Sequence, residues 1–173
     1  MKLRQVTLRY NGLFDFDGLY SAVIDWAKNY GYMWQETSYK HKVPSPKGAE
    51  QELDWILTKK VTDYMSYELK LTVHAWDMME VNVDVDGRKK SLSNARIYIL
   101  INGKLTTDWQ NKFKGGKIAE IIGKWYGKVM KRDIETAYFD TLYYRMWNLH
   151  AIMKKYFDMQ SKKYAYKGYL GEN

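Results

Sequence analysis

Cysteine is absent from the 173 residues. That excludes disulfides, thiolate metal sites and a cysteine nucleophile. Proline is nearly absent, and its two copies, Pro44 and Pro46, share one short stretch. No run of about 18 apolar residues exists that would span a bilayer. The opening MKLRQVTLRYNG places charges among its first apolar residues, unlike a signal peptide. The expectation is a cytoplasmic protein. The chain has no G-x-S-x-G, and His41, His74 and His150 stand apart with no metal-ligand spacing. The sequence therefore offers no catalytic constellation, no cofactor site and no metal site, and the expectation is a protein that is not an enzyme.

What it has in quantity is aromatic side chains and positive charge. Aromatic residues make up 16% of the chain, with 7 Trp and 16 Tyr. A 46% hydrophobic and 28% charged composition reads as globular. The length predicts one domain, 1–163, with a core that buries well over half of the unfolded surface, followed by a tail, 164–173. The net charge of +8 is unevenly placed. Residues 1–112 carry 16 Lys+Arg against 14 Asp+Glu, and residues 113–173 carry 12 against 6. A basic field gathered in one part of a chain favours anionic partners, nucleic acid or a membrane surface.

The hydrophobic periodicity is mostly of period two. Val6, Leu8 and Tyr10 alternate with polar neighbours and predict a first strand, ended by Asn11-Gly12. Asp15 or Asp17 is suited to cap a helix that Gly31 would end, with Phe16, Leu19, Val23, Ala27 and Tyr30 inward. Strand patterns then dominate to about Trp109. Leu69, Leu71, Val73, Val83, Ile97 and Ile99 are read as inward, and Asn102-Gly103 as a hairpin turn. From about Gly116 to Lys163 the pattern is helical. Unbroken, that span would be roughly 70 Å long, so a break is expected near Gly127 or at Arg132-Asp133. Phe139, Leu142, Met146, Leu149, Met153 and Tyr156 form a continuous stripe.

The predicted class is α+β: a curved antiparallel sheet of about six to seven strands on a long C-terminal helix, with one helix after the first strand. This order resembles the helix-grip arrangement of START-like domains. The resemblance rests on element order, and it implies a carrier of a hydrophobic small molecule in a cavity between sheet and C-terminal helix.

Three segments invite chemistry. Asn82 to Gly87 begins like a calcium loop, but its twelfth position is Ser93 and not the required Glu. It reads as an acidic strand face ending in a turn. Arg88, Lys89 and Lys90, with Lys112, Lys114 and Lys117, are candidate anion contacts on basic loops. The last segment lacks the full phosphate-loop pattern. On the C-terminal helix, Tyr144, Trp147 and Ala151 project opposite the apolar stripe, near Lys154 and Lys155. A helix apolar nearly all round is covered on two sides. These five are the candidate interface, for self-association in a homo-oligomer or for an anionic partner. The sequence thus predicts a binding or assembly protein with a basic, aromatic-rich C-terminal surface; the other readings are a START-like carrier and a nucleic-acid-binding protein.

Overall fold

The structure, a computed structural model, describes residues 1–46, 48–85, 88–110 and 116–157. The tail at 164–173 and the Asp86-Gly87 turn lie outside the described residues. The fold is α+β, an antiparallel sheet with three helices longer than one turn, the last a long C-terminal one. In chain order the elements are β1 (Val6–Phe14), α1 (Phe16–Asn29), β2 (Met33–Ser45), β3 (Gly48–Lys60), β4 (Met65–Val85), β5 (Arg88–Thr107) and α2 (Lys117–Val129). A single turn, α3 (Lys131–Asp133), a π-helical segment (Ile134–Phe139) and α4 (Asp140–Tyr156) follow. The strands lie in the order β1-β5-β4-β3-β2, so β1 and β2 are the edges.

The sheet has five strands where six to seven were predicted, because two pairs of segments fuse. Tyr67 to Ala75 and Met79 to Val85 are one strand interrupted by a bulge. Pairing jumps from Trp76↔Arg96 to Met79↔Asn94, which inserts one extra residue on β4, and Asp77 there has φ +55°. One extra residue reverses which side chains face the core. Met79 is therefore exposed and Val83 only half-buried, against the inward placement that plain alternation predicts. The bulge also explains Gly48, whose φ is +119°: a Cβ there would lie 2.5 Å from the Asp77 carbonyl carbon.

Asn102-Gly103 is not a turn either. Asn102 pairs with Lys70 and Gly103 with Leu69, in mid-strand. On the other side of β5, Leu3 N–H donates to the Gly103 carbonyl at 2.8 Å and Leu105 N–H to that of Met1. A Cβ on Gly103 would sit 2.6 Å from Leu3 Cδ1, so this glycine admits the N-terminal segment rather than a reversal. Asn11-Gly12 likewise stays in the β1–β5 ladder.

The inner face runs in register across the sheet. Trp55, Leu71, Ile101 and Val6 form one row, and Leu53, Val73, Ile99 and Leu8 the next. All are buried, with Leu19, Val23 and Ala27 of α1 and Leu142, Met146, Leu149 and Met153 of α4 in the same core. The two helices are tied by Trp26, whose indole N–H donates to Asn148 Oδ1 at 2.7 Å, and by Arg145 stacked 3.9 Å over the Tyr30 ring. Asp15 caps α1 by accepting from Gly18 N–H at 2.8 Å.

The C-terminal helical stretch breaks at Met130, between the two expected positions, and then loosens into the π-helical turns. Thr136 and Thr141 donate back to the carbonyls of Arg132 and Ala137, a contact that bends helices. Tyr67 anchors the segment to the sheet by donating to the Tyr138 carbonyl at 2.8 Å, and burial pushes its phenol up to about 12. Among the described residues, no helix is long and apolar enough to cross a membrane.

Candidate functional site

Among the described residues β1 pairs on one side only, with β5, and so forms an edge of the sheet. Its free side faces α4, and between the two runs an open groove of about 590 Å³. From the strand side it is lined by Arg4 to Arg9, and from the helix by Tyr143, Trp147, His150 and Lys154. Those four helix positions are spaced four, three and four apart, which sets them on one face. They are the flank of the buried stripe Leu142, Met146, Leu149 and Met153. The fold that seats the stripe in the core therefore also turns this flank toward the edge strand.

The rings lie against one another. Trp147 meets Tyr143 edge-on at 6.1 Å between centroids and His150 at 5.1 Å. Tyr144 adds a further ring against Tyr143 at 5.7 Å. Arg4 and Lys154 bring two cations to the groove, and none of its described lining residues is acidic. Arg9 lines it too, but its guanidinium lies over the Tyr98 ring on the outer sheet face. The groove thus offers positive charge, ring faces and the backbone of an edge strand.

The five interface residues read from the sequence divide between two strips. Trp147 and Lys154 line the groove. Tyr144, Ala151 and Lys155 are exposed on the next strip of α4, Tyr144 at 70% and Trp147 at 40% of full exposure. Of the six candidate anion contacts, Lys112 and Lys114 lie outside the described residues, as do the side chains of Arg88, Lys89, Lys90 and Lys117. Arg4, Arg9, Tyr143 and His150 were not among the candidates read from the sequence, where His150 counted only as a lone histidine. The first pair sits about 140 positions from α4, and nothing local marks β1 as an edge.

His150 is buried, and burial followed by the charge of Lys154 holds its imidazole below the ordinary histidine value. The folded chain thus takes up this proton less readily than the unfolded one. The associated stability is complete above the unfolded value of about 6.5 and is lost as pH falls through the lower folded value. Thermal melts between about pH 7 and pH 5 are expected to show a drop in melting temperature that His150→Gln makes shallower. Equal slopes would mean that other groups dominate.

A second cluster lies on the outer sheet face. His74 Nε2 is 2.7 Å from Glu50 Oε1, with Glu52 beside it, and the three offer ligand atoms within 4.8 Å of one another. Lys42 Nζ lies 3.1 Å from Glu50 and 3.5 Å from Glu52, and Lys40 lies 3.2 Å from Glu52. Those contacts, the Lys42 hydrogen bond first, hold the Glu50 carboxyl below its ordinary range. The lysines already neutralise the carboxylates, and the cluster is an ion-pair ladder across β2, β3 and β4. Comparison with protein-family models, curated proteins and solved structures finds no match for the chain.

Proposed function

We propose that the chain is a binding protein without chemistry of its own, which takes an anionic partner on its basic, aromatic C-terminal surface. The partner that suits the groove is single-stranded nucleic acid. The observation that carries this reading is the lining: two cations, two partly exposed rings and no acidic residue among the described ones. Grooves of this composition track a phosphate backbone with Lys and Arg while bases stack on the rings, without sequence preference. A duplex keeps its bases inside the stack, out of reach of Tyr143 and Trp147, so the single strand is favoured.

The same charges argue against a two-fold contact centred on the groove, which would set Arg4 and Lys154 against their own copies. An apolar carrier has less support. The sheet and α4 meet through fully buried Leu71, Ile99, Met146 and Leu149, and the mouth beside α1 is lined by Asp17, Glu36 and Glu80.

The test is titration of labelled single- and double-stranded oligonucleotides at two salt concentrations. Two neutralised phosphates on a single strand predict a loss of about 7-fold in affinity between about 50 and 200 mM salt. No binding at the lower salt would overturn the reading. So would a mass in solution that rises with protein concentration and returns to monomer in Trp147→Glu, which would assign this face to self-association.

A further inference from the structure

We propose that α2 is a membrane-docking helix, which lies in the headgroup layer of an anionic bilayer with its apolar stripe toward the acyl chains. This goes beyond the groove and rests on a different helix. Four large apolar side chains of α2 are turned outward. Ile121 is 66% exposed, Ile122 50%, Trp125 63% and Val129 58%. At 3.6 residues per turn these four fall within an arc of about 100°, one continuous stripe.

The side that meets the body of the protein is a different one. Tyr126 packs edge-on against Tyr64 at 5.0 Å, and Gly127 lies against the Tyr64 hydroxyl. Charge decides what covers the stripe. Lys124, Lys128, Lys131 and Arg132 are exposed, and no acidic residue lies between 121 and 132. Lys124 and Lys128 fall along one border of the stripe, and Lys131 follows just past the helix end; from that border long side chains reach back to headgroups while Ile and Trp enter the interface.

A second copy of the helix would bring the same lysine border against itself, whereas an anionic lipid surface complements it. At 13 residues α2 is too short to span, since crossing takes about 20. Lying flat is the arrangement that its length and its single apolar stripe allow.

The experiment is co-sedimentation of the full chain with large vesicles of phosphatidylcholine alone and of phosphatidylcholine mixed with phosphatidylserine. Binding is expected on the mixed vesicles and not on the neutral ones, and it should weaken with salt. Trp125→Glu should abolish it without lowering the melting temperature, because the ring is exposed in the folded chain. Replacing Lys124, Lys128 and Lys131 together by Gln should weaken it on the order of 100-fold, at about one lysine's surface attraction each. Both variants should bind oligonucleotides as the wild type does, which separates this site from the groove. No binding to mixed vesicles would overturn the proposal. Binding that survives Trp125→Glu would overturn it too, as would a dimer that Trp125→Glu dissolves.

Discussion

Leu71→Ala is expected to lower the free energy of unfolding by about 2–5 kcal/mol. For a chain of this length that is roughly 5–20 °C of melting temperature. Leu71 is fully buried in the middle of β4, paired with Trp55 on β3 and Ile101 on β5. Three strands and the helix layer converge on it, so the cavity left by truncation has few ways to collapse. Leu100 is the internal control. It lies one residue from Ile101, is half-buried, and faces the outer side of the sheet. Leu100→Ala should cost clearly less, since the removed atoms were already partly in water. Thermal and denaturant melts of the two variants decide the matter. Equal losses, or a larger loss at Leu100, would mean that the packed face is not the one the register assigns.

That contrast between adjacent positions is what the sequence made legible. Alternation in Leu69, Leu71, Val73 and again in Ile97, Ile99, Ile101 reports which face is buried, and burial of that face fixes the register. Helix ends were legible for a related reason. Asp15 accepts from the first-turn amide, and Gly31, at φ +70°, takes a conformation that side chains resist. The misses come from information that is not local. Asn102-Gly103 carries turn chemistry, yet pairing on both sides of β5 outweighs it. The bulge at Asp77 has no composition of its own in the sequence, and its one extra residue reverses the faces of Met79 to Val83. The groove was half visible. Trp147 and Lys154 stand out on a helical wheel, but their neighbours Arg4 and Arg9 arrive only because β1 ends up at the edge of the sheet.

Reversing the two groove cations, by Arg4→Glu and Lys154→Glu together, is expected to remove single-strand binding at moderate salt, a loss of at least about 100-fold. Each change removes an attraction and adds a repulsion. Among the described residues no carboxylate pairs with either of the two, so no ion pair is broken and the fold should keep its melting temperature. The rings act differently. Trp147→Ala removes a stacking surface that is worth about 1–3 kcal/mol per base, or roughly 5- to 150-fold in affinity. It leaves the cations in place, so the salt dependence should keep its slope while the whole curve shifts to weaker binding. The two variants therefore separate on one plot of log affinity against log salt: the first flattens the line and the second lowers it. If neither moves the line of a chain that binds, the strand lies elsewhere, and the basic stretches Arg88–Lys90, which open β5 rather than forming the expected loop, and Lys112–Lys117 become the place to substitute next. If Trp147→Ala changes the slope as well, the ring holds Lys154 in position rather than stacking a base, and a repeat with Tyr143→Ala, farther from Lys154 along the helix, isolates the stacking contribution.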